Sequence, residues 1–111
     1  MAEGDGFEGL VTRGREARVT GDLFGAALLL RRARVLAIEQ GLGGDEVLSL
    51  LIQEAICATR AGLFDQAVAA LDEFDRLTGP TAPAWATAQA RLARAALLDA
   101  RAREPRAKEE A

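Results

Sequence analysis

Glycine-containing breaks divide the chain into segments whose apolar residues recur every three or four positions. The breaks fall at Gly21-Asp22, Gly41–Gly44, Gly62 and Gly79-Pro80. Glycine adopts the left-handed backbone conformation that is common where helices end, so breaks of this kind separate helices. No useful length of sequence alternates apolar and polar residues with a period of two, which argues against strands. The 111 residues therefore predict one all-α domain.

Five segments carry the helical spacing, and we predict a helix over each: Phe7–Thr20, Leu23–Gln40, Glu46–Ala61, Phe64–Leu77, and a last one from Thr81 or Pro83 to Arg103. Asp45 is the expected N-cap of the third helix, because a carboxylate there can accept a hydrogen bond from the first turn. Pro105 is expected to end the ordered chain. Residues 1–6 are predicted to be a flexible N-terminus and residues 104–111 a charged disordered tail.

Several kinds of chemistry are excluded by missing residue types. The chain has no histidine or tyrosine, one cysteine (Cys57) and one serine (Ser49). Cys57 is expected to be a buried inert thiol, because no histidine can activate it. Ser49 lacks a catalytic partner for the same reason. Histidine-based acid–base catalysis, histidine metal ligation and disulfides are all ruled out, and we predict a protein that is not an enzyme and uses no cofactor.

The acidic residues are the remaining candidates for catalysis or metal binding. The fourth segment carries Asp65, Asp72, Glu73 and Asp75, but without the spacing of a calcium loop. We therefore predict no metal site. An enzyme would need carboxylates alone, and a deep pocket lined by Glu54 and Asp72 would be its structural sign.

The net charge and the cysteine content restrict which partners and which cellular compartment we expect. The net charge is −3, whereas nucleic-acid-binding domains are usually basic. The group Arg31, Arg32 and Arg34 could contact phosphate, but no aromatic residue is interleaved to stack bases. A single cysteine favours a reducing compartment. The N-terminus does not look like a signal peptide, and the longest apolar stretch is far too short to span a membrane. We expect a soluble cytoplasmic protein.

Two of the breaks are similar in sequence. Gly21–Ala26 aligns with Gly62–Ala67, and each is followed four residues later by a large apolar residue, Leu30 or Leu71. In both, glycine permits a tight turn, and alanine lets the second helix approach the first closely. The pattern indicates two helical hairpins of the same kind.

This pattern resembles the tetratricopeptide repeat, a helix–turn–helix unit of 34 residues. The resemblance implies one domain over residues 7–103, a right-handed α-solenoid of two repeats (7–40 and 48–81) with a C-terminal capping helix (82–103). Arg13 and Glu54 depart from the pattern, standing where that family prefers leucine, and Gly41–Val47 is an insertion. A generic five-helix bundle is the alternative. The residues that carry the repeat are Gly14, Gly21, Ala26, Ala55, Gly62, Ala67, Pro80 and Trp85.

In tetratricopeptide repeats the first helices of the units line a concave groove. The resemblance implies an apolar groove edged by arginines, formed by Val11, Arg15, Arg18, Ile52, Ile56, Arg60, Ala90 and Arg94. Such a surface suits a peptide or partner helix that carries acidic groups. The alternative is that Ile52 and Ile56 are buried between neighbouring helices.

The predicted function is therefore a non-catalytic protein–protein interaction module: an adaptor, a co-chaperone-like module or a regulator. So short an array leaves large faces uncovered, and a homodimer through the terminal helix or the groove would cover them. The competing interpretations are a nucleic-acid-linked transcriptional regulator and a helical-bundle regulatory subunit.

Overall fold

Five helices follow one another in the order that the glycine breaks predict. The structure, a computed structural model, describes the backbone of residues 6–110 and the side chains of residues 6–104. No strand occurs in this range, so the all-α prediction is confirmed. The helices are α1 Phe7–Val19, α2 Leu23–Gln40, α3 Asp45–Arg60, α4 Phe64–Thr78 and α5 Ala84–Glu110, with a short 3-10 helix, Gly79–Thr81, between the last two.

The caps of the helices differ in part from the prediction. Asp45 is not the N-cap of α3, as predicted, but its first helical residue, and the cap is Gly44 with φ 90° and ψ −178°. Glycine takes this role because the chain turns there with a positive φ that other residues rarely adopt. The side-chain cap is found instead on α2, where Asp22 Oδ1 accepts a hydrogen bond of 2.8 Å from the backbone N–H of Gly25.

The last helix is longer than predicted. Its backbone continues through Pro105 to Glu110, so the expected end at Arg103 and the disordered tail from residue 104 are corrected. Proline interrupts one helical hydrogen bond. The alanine, arginine, lysine and glutamate residues on both sides of it have high helix propensity, which favours continuation. The predicted flexible segment lies outside the described residues, except for Gly6, the N-cap of α1.

The core is built around α3. This helix packs against α2 and α4, its neighbours along the chain, and also against α5, which contacts α4 less. Leu50, Leu51 and Ala55 are fully buried on α3. Because three helices cover α3, most of its circumference is buried rather than one face.

Small residues allow the helices of each hairpin to pack closely. Gly14 of α1 faces Leu30 of α2 so closely that a Cβ on Gly14 would lie 2.7 Å from Leu30 Cδ2. The turns after α1 and α3 each contain a glycine with positive φ, 88° at Gly21 and 79° at Gly62. The two hairpins thus share the local geometry on which the sequence repeat depends.

Candidate functional site

Most of the apolar floor predicted for a binding groove lies in the core. Val11 and Ile52 are 2% exposed and Ala90 is 4% exposed, so a partner cannot reach them without separating the helices. Ile56 is half-buried. The predicted groove is therefore corrected: neighbouring helices already cover these positions, which favours the buried interpretation of Ile52.

The arginines predicted at the groove divide into two locations. Arg15 and Arg18 belong to α1 and Arg60 belongs to α3, and these two helices are linked through Arg15 and Gln53. Arg94 of α5 instead forms an ion pair with Asp75 of α4, with 2.6 Å between Nη2 and Oδ1. Arg94 is thus already neutralised by a carboxylate and does not join the other three.

We call Arg15, Arg18, Gln53, Ile56 and Arg60 the arginine face. Arg15 Nε lies 3.4 Å from Gln53 Oε1, to which it donates a hydrogen bond that links α1 to α3. Arg18 and Arg60, which are exposed, both lie near enough to the thiol of Cys57 for their charges to act on it. Across residues 6–104 none of the three arginines forms an ion pair, so their guanidinium groups are available to a carboxylate of a partner.

Cys57 lies beneath this face as an unreactive thiol. Its side chain is fully buried, and this burial raises the pKa of the thiol, although the charges of Arg18 and Arg60 act in the opposite direction. A raised pKa keeps the sulfur protonated and poorly nucleophilic at neutral pH. This placement agrees with the prediction of a buried inert thiol.

The most unusual polar group in the core is Glu54, which from sequence is a departure from the repeat pattern and a candidate for a carboxylate pocket. Its carboxylate is fully buried, with Oε1 accepting a hydrogen bond of 2.8 Å from Arg34 Nε and Oε2 accepting one of 3.1 Å from Gln66 Nε2. Gln66 also donates to the carbonyl oxygen of Ala27, at 2.7 Å. The group therefore connects α2, α3 and α4. Its signal in the sequence is a charged residue within the apolar pattern of α3.

Burial dominates the electrostatics of Glu54. It raises the pKa of the carboxyl group, and the hydrogen bond and charge of Arg34 only partly oppose the shift. Asp72 is exposed and lines a shallow groove between α4 and α5 that does not include Glu54. The carboxylate pocket that would indicate an enzyme is therefore not formed by these two residues.

The other charged clusters considered from sequence are spread over the surface. Glu73 pairs with Arg76 and Asp75 with Arg94, and the part of the chain with described side chains contains no group of three potential metal ligands. Because Arg34 binds Glu54, the arginine triplet of α2 offers only two free guanidinium groups to a phosphate. In the same part of the chain, no helix has the length and apolarity needed to cross a bilayer.

An exposed apolar stripe on α2 was missed by the sequence analysis. Phe24, Leu28, Val35 and Ile38, with Leu42 just after the helix, are between 36% and 55% exposed. We call these residues the α2 stripe. In the sequence, positions 24 to 42 contain a second series of residues spaced alternately by four and three. This series runs beside the series formed by the buried alanines. It is easily overlooked because α2 is apolar on nearly every side.

The alanines predicted to carry the repeat lie in the core and the proline lies in a 3-10 turn, whereas the tryptophan is partly exposed. Ala26, Ala55 and Ala67 are fully buried. Pro80 lies in the 3-10 helix that follows α4. Trp85, placed by the resemblance in a packing position, is 37% exposed.

Comparisons of this chain with models of known families, with curated proteins and with solved structures found no match. A functional proposal is therefore based on the surface chemistry of the described residues.

Proposed function

We propose that this protein is a non-catalytic protein–protein interaction module that binds an acidic peptide or helix at the arginine face. The observation that carries the proposal is that Arg15, Arg18 and Arg60 have no ion-pair partner among the described side chains. Arg15 is bonded to Gln53 of α3, and Arg18 and Arg60 both act on the thiol of Cys57. An adaptor, a co-chaperone-like module and a regulatory subunit would all use such a surface. The tetratricopeptide-like solenoid is part of this proposal, supported by the matched turns at Gly21 and Gly62.

The charge distribution supports an acidic partner. The chain carries a net charge of −3, and four of its other arginines pair with acids among the described side chains: Arg34, Arg76, Arg94 and Arg103. The arginine face is therefore positive against an acidic background. Guanidinium groups bind carboxylates in a planar, two-pronged geometry, which gives both attraction and register. Half-buried Ile56 of α3 would add apolar contact.

A binding role is also supported by the chemistry of the reactive groups. The buried carboxylate of Glu54 is held by Arg34 and Gln66, and the thiol of Cys57 has a raised pKa. Neither group is placed to act on a substrate. The single cysteine also fits a reducing compartment, and we propose the cytoplasm as the location.

The test uses a synthetic amphipathic helical peptide with leucine on one side and glutamate on the other. We expect the complex to weaken as salt is added, because exposed charge pairs are screened. The variant Arg15→Glu/Arg60→Glu should lower the affinity by about 100-fold, since two charge-assisted contacts become repulsive. A peptide with glutamine in place of glutamate should bind weakly to the unmodified protein.

The matched control is Arg91→Glu/Arg101→Glu, which changes the net charge equally at exposed positions of α5. It should retain the affinity to within a few-fold. NMR chemical-shift changes on peptide binding should map to Gln53, Ile56 and Arg60. An equal loss of affinity in both variants, or shifts confined to α4 and α5, would contradict the proposal.

A further inference from the structure

We propose that the α2 stripe is a self-association surface on which a second copy of the chain packs its own α2 in antiparallel orientation. The inference is independent of the proposed function, because the stripe belongs to α2 and the arginine face belongs to α1 and α3.

The stripe leaves large apolar side chains in water along most of one helix. Phe24, Leu28, Val35 and Ile38 are exposed, whereas the opposite side of α2 is buried by α1 and α3 through Ala26, Leu30 and Ala33. Scattered apolar residues are common on protein surfaces, but contiguous apolar stripes mark interaction sites. The α2 helix is thus apolar both on the side that faces the core and on the side that faces solvent.

The spacing of the stripe is that of a helix–helix seam. Positions 24, 28, 31, 35, 38 and 42 alternate by four and three, the pattern of a coiled-coil core. Arg31 occupies the one charged position in this series. A shallow depression beside the seam, lined by Leu28, Val35 and Leu36, offers space for side chains of a second helix.

The charges favour a second copy in antiparallel orientation. In a parallel pair the seam residue Arg31 would lie directly opposite Arg31 of the second copy, which places like charges together. In an antiparallel pair centred on position 33, Leu28 faces Ile38 of the second copy and Arg31 faces its Val35. Each Arg31 then lies about one helical turn from both Glu39 and Arg31 of the other copy. The two arginines are therefore no longer directly opposite each other, and each has a carboxylate within reach of its long side chain.

This pairing also has the symmetry of a closed dimer. Because both copies contribute the same helix around a two-fold axis, each copy covers the stripe of the other and the stripe is not available to a third copy. A dimer of this kind removes the exposed apolar side chains of α2 from water.

Association is measured by sedimentation velocity over a range of protein concentrations. The unmodified protein should show a reversible monomer–dimer equilibrium, and Leu28→Glu should weaken it at least about tenfold, because a charge enters the seam. The matched control is Leu92→Glu, since Leu92 is equally apolar and more exposed but lies on α5. Circular dichroism checks that both variants keep the helical fold.

Orientation is measured by disulfide trapping with variants that each carry one added cysteine. When Leu28→Cys and Ile38→Cys proteins are mixed under mild oxidation, the antiparallel pair predicts a mixed dimer and little cross-linking of either variant alone. Buried Cys57 does not interfere. Self-linked Leu28→Cys dimers would overturn the antiparallel orientation. A monomer at all concentrations, or a dimer weakened by Leu92→Glu and not by Leu28→Glu, would overturn the surface itself.

Discussion

Arg34 and Glu54 form a salt bridge inside the helical core, with 2.8 Å between Arg34 Nε and Glu54 Oε1. The Glu54 side chain is fully buried and that of Arg34 is 12% exposed. The raised pKa of Glu54 shows that the loss of hydration outweighs the attraction of its partner. The pair therefore fixes the relative position of α2 and α3 more than it adds net stability.

The first prediction separates these two effects. Arg34→Met should lower the free energy of unfolding by about 3–5 kcal/mol, because it leaves the Glu54 carboxylate buried without a cation. The double variant Arg34→Met/Glu54→Leu should recover most of this loss, since both charged groups are then absent. Urea unfolding of the single and double variants measures the difference.

The control for this prediction is Arg76→Met, which breaks the exposed pair of Arg76 and Glu73. Its effect on the free energy of unfolding should be far smaller, because water screens an exposed pair. If the double variant were as unstable as Arg34→Met alone, the loss would come from side-chain packing and not from the buried charge.

The second prediction concerns pH. The pKa of Glu54 is raised by burial above its ordinary value of 4.5, so the folded protein binds this proton more tightly than the unfolded chain does. The stabilising contribution is complete below 4.5 and is lost as the pH rises through the raised value. Glu54→Gln does not titrate there, so it should become more stable relative to the unmodified protein as the pH rises to neutrality.

The pH experiment compares the two proteins by urea unfolding in a series of buffers. Glu73 acts in the opposite sense, because its hydrogen bond to Arg76 lowers its pKa, and its contribution is lost as the pH falls below 4.5. Since Glu73 is present in both proteins, subtraction cancels its effect. A stability difference that does not change with pH would show that Glu54 keeps an ordinary pKa.

The turns and hairpins could be predicted from sequence, whereas the surfaces could not. The turns at Gly21 and Gly62 depend on a positive φ that glycine adopts readily, so the residue type itself predicts them. The burial of Val11 and Ile52 depends on how closely α1, α3 and α5 approach, which helical periodicity does not specify. Two stripes on α2 satisfy the same spacing, so sequence alone cannot tell which of them faces the core.

The pairing of Glu54 was equally hidden. Arg34 and Gln66 reach the carboxylate of Glu54 from two other helices. They are distant from Glu54 in the sequence, and no motif or spacing indicates that the three residues meet. A charged residue within the apolar pattern of α3 indicates only that some partner is required, because an unpaired buried charge is too costly.

The third prediction tests the close contact of α1 and α2. Gly14→Ala would place a Cβ 2.7 Å from Leu30 Cδ2, and Leu30 is itself fully buried and has little room to move. Alanine favours the helix by up to about 1 kcal/mol, but overpacking costs about 1–3 kcal/mol. We expect a net loss of stability in thermal unfolding.

The control is Gly43→Ala, since a Cβ there meets no atom within 4 Å and the backbone of Gly43 does not have a positive φ. It should leave the melting temperature nearly unchanged. The double variant Gly14→Ala/Leu30→Ala should lose less stability than the sum of its single variants, because the smaller side chain makes room for the added methyl group. Strict additivity would show that the two positions do not contact each other.

The last prediction compares the two aspartates at the starts of α2 and α3. Asp22 caps α2 through its hydrogen bond to Gly25, whereas Asp45 is the first residue of α3 and makes no such bond. Asp22→Ala should therefore lower the free energy of unfolding by about 1 kcal/mol. Asp45→Ala should lose only the weaker attraction to the helix dipole, about 0.3–1 kcal/mol and decreasing with added salt. Urea unfolding at low and high salt measures both effects. A larger loss for Asp45→Ala than for Asp22→Ala would indicate that Asp45 is the N-cap of α3, as the sequence predicts.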